Sequence, residues 1–86
     1  MNLNEKLHAI LNVLDENVGW RTGDVAETAN VYQHLGKRIA SAWARNDLIQ
    51  LERLGLAGRL DNQKPVCWVR TLQGTALIKR SKQSIS

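Results

Sequence analysis

The chain has 86 residues, a formal net charge of +4, a sequence pI near 9.7 and one cysteine. That length gives one small domain with a modest core, and an apolar fraction of 43% excludes a disordered chain. Cys67 alone excludes an internal disulfide, and with His8 and His34 far apart no zinc-ligand spacing exists. No apolar run approaches the ~18 residues of a membrane helix. The opening MNLNEKLHAIL reads as an amphipathic helix, not a signal peptide. A cytoplasmic protein without metal or cofactor is expected.

In chain order, Leu3, Leu7, Ile10, Leu11, Leu14 and Val18 recur at helical spacing, which predicts a helix over 3–17 closed by Asn17 and Gly19. Gly19-Trp20-Arg21 reads as a minimal strand or an extended link. Thr22 is the expected N-cap of a short second helix containing Val25, Ala26 and Ala29, with Asp24 suited to its first turn. Asn30, which tolerates a left-handed backbone, closes it, and 30–34 form a turn.

A long third helix is expected over about 35–54, stopped by Gly55. At 100° per residue, Ile39, Ala40, Trp43, Ala44, Leu51 and Leu54 share an apolar arc with Leu48 at its edge. Asp47 falls inside that arc. Either an arginine pairs with it, or Asn46-Asp47 breaks the helix and a shorter one begins at Leu48. Residues 56–61 and 65–70 read as two strands around the turn Asp61-Asn62-Gln63-Lys64-Pro65. Thr71 caps a last helix over 72–80, and 81–86 is a flexible tail to a domain of 1–80.

This order predicts an α+β, mainly α fold: a winged helix-turn-helix of three helices, a β-hairpin wing and a short C-terminal helix. Charge is divided along it. Residues 1–34 carry two basic and five acidic residues, whereas residues 35–86 carry ten basic and three acidic ones. A basic half on a small domain suits a polyanionic partner.

Arg38, Ser41, Ala42 and Arg45 are spaced i, i+3, i+4, i+7 and share one face of the long helix. Arginine bonds guanine bidentately in the major groove, and small residues between two arginines let the helix axis approach the bases. Arg59 and Lys64 would carry the wing to the DNA backbone, with Lys64 at its tip; Arg70, near its base, is either a contact or structural. Arg21, Thr22 and Lys37 sit near helix starts, where backbone N–H groups bind phosphate. Gln33 and His34 lie in the turn and could do the same, and Tyr32 either reaches a phosphate or packs. Trp20, Trp43 and Trp68 are expected to form the core of a chain without phenylalanine. No nucleophile, carboxylate pair or phosphate loop suggests an enzyme.

The stretch RIASAWARNDLIQLERLGLAGRL, followed by VCWVRTLQGTAL, resembles the winged helix-turn-helix DNA-binding superfamily over roughly residues 5–80. The resemblance rests on L-x-x-L-G-L from Leu51 to Leu56, the aromatic Trp68, and T-x-x-G-x-x-L at Thr71, Gly74 and Leu77. R-I-x-x-x-W-A-R-x-D-L from Arg38 to Leu48 looks like the N-terminal domains of Mrr-type restriction endonucleases. T-x-x-V-A-E from Thr22 looks like small regulators of fimbrial operons. The interval from Val31 to the leucine run is longer than the family pattern. The resemblance implies a third helix that reads the major groove and a wing that touches the backbone.

The expected function is double-stranded DNA binding by a small transcriptional or mobile-element regulator. So small a surface reads few base pairs, which calls for a homodimer partner or tandem sites, with the first and last helices as the dimer surface. The alternatives are a protein-interaction module with an acidic partner and a stand-alone DNA-recognition domain of a restriction-type system.

Overall fold

The computed structural model describes residues 4–60 and 65–83, with side chains described as far as Arg80. The elements are α1 (Glu5–Val13), β1 (Trp20–Arg21), α2 (Thr22–Ala29), a 3-10 turn (Gln33–Leu35), α3 (Lys37–Arg53), β2 (Ala57–Leu60), β3 (Cys67–Arg70) and α4 (Leu72–Gln83). Among the described residues the fold is α+β and mainly helical: four helices and one three-stranded antiparallel sheet, ordered β1-β3-β2.

Asn4 starts α1, its Oδ1 accepting from the Leu7 amide at 2.8 Å. Leu7, Ile10 and Leu11 are the buried stripe. The helix stops at Val13, four residues before the expected end. Asp15 Oδ1 accepts from the amides of Asn17 (2.7 Å) and Val18 (3.1 Å), offering the backbone an alternative to the helix ladder. The Asp15 carbonyl is also taken by the Arg70 amide at 3.0 Å, tying this exit to the end of β3. Val18, placed in the apolar stripe by spacing, is exposed; Leu3 lies outside the described residues.

Arg21, not Thr22, is the N-cap of α2, and its side chain makes no capping bond. Asn30 closes α2 in the left-handed region (φ 55°, ψ 42°), as its short polar side chain allows. The long interval after Val31 is filled by the 3-10 turn and by Gly36 at φ 89°, a conformation that suits glycine. α3 therefore begins at Lys37 and runs unbroken through Asn46 and Asp47.

The buried face of α3 is Ala40, Ala44, Leu48 and Leu51. Ile39, Trp43 and Leu54, expected on that face, are exposed at 48%, 51% and 37%. The core line is thus rotated toward Leu48, and Asp47 lies at its margin, where its carboxylate accepts from the Tyr32 hydroxyl. An arginine partner for Asp47 is replaced by this buried tyrosine. Ala26, Ala40 and Ala44 are all within 1% of full burial, and such short side chains let α2 and α3 approach closely.

Gly55 ends α3 at φ 79°. Thr71 then joins three elements: its Oγ1 donates to the Gly55 carbonyl (2.8 Å) and accepts from the Gly74 amide (3.1 Å) as the cap of α4. Its amide bonds the Leu56 carbonyl at 3.1 Å. Gly74 lies against that same carbonyl, so closely that a Cβ would collide with the oxygen. Thr-x-x-Gly-x-x-Leu is thereby a packing device: a cap, a close approach and, at Leu77, an anchor against the core. α4 continues to Gln83, three residues into the expected tail. No helix among the described residues is long and apolar enough to cross a membrane.

Gly74→Ala should lower unfolding free energy by about 1–3 kcal/mol, the cost of forcing a methyl into a filled site, read as a lower urea midpoint at unchanged m-value. The exposed neighbour substitution Gln73→Ala should leave the midpoint within experimental error.

Candidate nucleic-acid interface

β3 is the middle strand, and its register aligns Trp68 with Trp20 of β1 on one side and with Arg59 of β2 on the other. Trp68 is 1% exposed, so its indole N–H requires an internal partner. It donates to Thr22 Oγ1 at 2.9 Å. This bond pins the first residue of α2 to the sheet and leaves the Thr22 hydroxyl hydrogen to point elsewhere. Across the strand pair, the Arg59 guanidinium lies 5.0 Å from the centroid of the Trp68 ring, within cation–π distance.

Between these elements opens a groove of about 540 Å³. It is lined by Ser41, Ala42 and Arg45 of α3, by the start of α2 from Arg21 to Asp24, and by Arg59, Pro65, Val66 and Trp68. α2 and α3 approach each other beside the groove: a Cβ on Gly23 would sit 3.5 Å from Ser41 Oγ. Arg21 and Arg45 are exposed, so both cations are available to a ligand, whereas Arg59 is bridged to Glu52 at 2.9 Å.

The structure thus gathers Thr22, Ser41, Ala42, Arg45 and Arg59 of the sequence-predicted contacts into one concavity. Arg38 is exposed one helical turn before Ala42, on the same face but outside the groove lining. Lys37 departs from the set. It lines a separate hollow of about 170 Å³ between α2 and α3, shared with Glu27 and with Asp24, which also lines the groove. Lys64 and the turn 61–64 lie outside the described residues.

Other expectations resolve as packing. Arg70 donates from Nε to Thr75 Oγ1 (2.9 Å) and from Nη1 to the Leu11 carbonyl (3.4 Å), which makes it a structural brace between β3, α4 and α1. Gln33 Nε2 donates to the Ala26 carbonyl at 3.0 Å and so holds the turn to α2. Of the tryptophans, Trp68 is core and Trp20 packs partly against it, but Trp43 is half exposed and leans on Tyr32, ring centroids 5.7 Å apart. Sequence reasoning missed Trp68 as the organiser of the groove. Its signal would have been the strand register, which local composition does not carry. No group of His, Cys, Asp or Glu that could hold a metal ion occurs among the described residues.

Comparison with known proteins adds no relative: no family model, no curated protein and no solved structure matches this chain. The interface has to be judged on its own geometry.

Tyr32 bears on that geometry because it braces the flank of α3 that faces away from the groove. It is 4% exposed, its hydroxyl donates to Asp47, and Lys6 Nζ lies 4.7 Å from its ring centroid. Burial, then the bond to the Asp47 carboxylate and that group's negative charge, push the phenol from 10.0 up to about 12. Tyr32 is the chain's one tyrosine, so tyrosinate absorbance reads it directly. The folded protein should titrate near pH 12, and Asp47→Asn should bring the midpoint down. Since the folded pKa lies above the unfolded one, the stability this site provides is complete below about pH 10 and is lost between about pH 10 and 12. Tyr32→Phe should remove that part of the alkaline loss in thermal melts.

Proposed function

We propose that the chain is a cytoplasmic double-stranded DNA-binding protein with a winged-helix architecture and no catalytic role, a small transcriptional or mobile-element regulator. On this reading α2 and α3 are the helix-turn-helix, and β2 and β3 are the wing. The order β1-β3-β2 supports it, because the minimal strand before α2 binds the hairpin that follows α3 into one sheet beside the recognition helix.

The single observation that carries the reading is the groove whose lining brings three cations, Arg21, Arg45 and Arg59, and the Thr22 hydroxyl together beside the outward face of α3, against one acid, Asp24. Guanidinium groups and a hydroxyl at the start of a helix are donors suited to backbone phosphates. Arg38 and Arg45, two turns apart with Ser41 and Ala42 between them, offer bidentate donors toward base edges. One copy covers only a few base pairs, so a regulator of useful specificity acts as a homodimer or on tandem sites.

A protein partner is the second reading, and the exposure of Ile39 and Trp43 on α3 favours it. The two readings use different flanks of the same helix. At 100° per residue Ser41 and Arg45 lie on one flank, Ile39 and Trp43 on the other, with Ala42 and Asn46 between.

Fluorescence-anisotropy titration of a random-sequence duplex separates them. With about four to six phosphates engaged, affinity should fall by about 10²–10³ between 50 and 200 mM salt. Arg38→Ala with Arg45→Ala should abolish binding and leave the melting temperature nearly unchanged, since both side chains are exposed. Absence of binding at 50 mM salt would defeat the DNA reading and put the protein-partner reading first.

A further inference from the structure

Trp68 and Thr22 are the two ends of one hydrogen bond, and both line the groove. The indole is buried and its Nε1–H donates to Thr22 Oγ1 at 2.9 Å, whereas Thr22 itself is only partly buried. A hydroxyl carries one proton and two lone pairs. The indole N–H occupies one lone pair, so the proton turns off that axis. Among the described residues no group accepts it: neither Asp24, which shares the lining, nor any backbone carbonyl takes a bond from Thr22 Oγ1. Arg21, the residue before Thr22, and Arg45 share the same lining as exposed cations.

We propose that Trp68 is a positioning residue for DNA phosphate, acting through the Thr22 hydroxyl. The proposal rests on the DNA reading above. A hydroxyl that accepts a hydrogen bond becomes a stronger donor, because each bond in a chain polarises the next. The buried indole N–H thus acts on Thr22 in two ways. It fixes the hydroxyl oxygen against the core, and it strengthens the proton that remains. The indole has no lone pair to offer in return, so that proton stays available to the groove. What the hydroxyl then selects is an acceptor, and an anionic oxygen is the strongest one. A phosphate seated on Thr22 closes a chain of two bonds: Nε1–H to Oγ1, then Oγ1–H to phosphate oxygen. Arg21 and Arg45 supply the attracting charge, and the neutral relay from Trp68 supplies the place.

The test is a double-mutant cycle read by anisotropy with a random-sequence duplex, using wild type, Thr22→Val, Trp68→Phe and the double variant from 50 to 200 mM salt, well below the melting temperature of all four. Valine keeps the shape of threonine without the hydroxyl, and phenylalanine keeps an aromatic ring in the core without the N–H. Thr22→Val should weaken binding about 5–20-fold at every salt concentration. The slope of log K on log salt should stay the same, since a hydroxyl neutralises no phosphate. Thr22→Ser, which restores the hydroxyl, should bind within about twofold of wild type. Trp68→Phe should weaken binding about 3–5-fold with Thr22 in place and less than about 1.5-fold on Thr22→Val. An equal loss in both backgrounds would make Trp68 a structural residue only, and would overturn the proposal. Thr22→Val binding as tightly as wild type would also overturn it. Should Trp68→Phe melt early, the second readout is the Trp68 indole N–H proton resonance, the slowest of the three to exchange. It should move downfield when duplex is added to wild type or Thr22→Ser, and less than half as far in Thr22→Val; an equal shift in all three would overturn the proposal. Each of these failures leaves the DNA reading standing, whereas a wild-type protein that binds no duplex at 50 mM salt would end both.

Discussion

The hydrogen bond from Trp68 Nε1 to Thr22 Oγ1 is the contact on which the arrangement of this domain turns. A buried indole N–H left without a partner costs free energy, so the largest side chain of the core can settle only where an acceptor waits. That acceptor is the first residue of α2, forty-six positions earlier in the chain. One polar contact therefore ties the middle strand to the start of α2, and both its residues line the groove. Thr22 is used twice: as the acceptor that satisfies the core and as a hydroxyl that lines the surface.

α3 serves three neighbours at once, and its side chains are graded accordingly. Toward the core it presents Ala40, Ala44, Leu48 and Leu51, small in its first half and larger in its second. Toward the groove it presents Ser41, Ala42 and Arg45. Toward the remaining side it presents Ile39 and Trp43, with Trp43 steadied by Tyr32 and Tyr32 by Asp47. The small side chain at Ala42 also counts, because a longer one would take up room in the groove it lines.

Much of this was legible from local chemistry. The left-handed Asn30, the stop at Gly55 and the cap at Thr71 depend on residues a few positions apart, and sequence carries such signals. The face that joins Ser41, Ala42 and Arg45 follows from helical period alone. What escaped reading is set by partners distant along the chain. α1 ends early because Asp15 is held by its own turn and by Arg70. The core face of α3 is rotated because Asp47 found a tyrosine from the preceding turn, which left Trp43 outside. Lys37 shares a hollow with two acids of α2 that spacing along one helix could not reveal, and the Glu52–Arg59 bridge needs the strand to fold back on its own helix. Period finds a face; only tertiary geometry finds its counter-charges.

The three tryptophans lie at three depths in three different elements. Trp68 is sealed in the middle strand, Trp20 is partly covered on the outer strand, and Trp43 stands half in water on the long helix. Their emission should accordingly span blue to red, and a polar quencher should reach Trp43 long before Trp68. The domain thus carries its own optical depth gauge: loosening of the sheet and events on the long helix would register in separate parts of one spectrum, with no label attached.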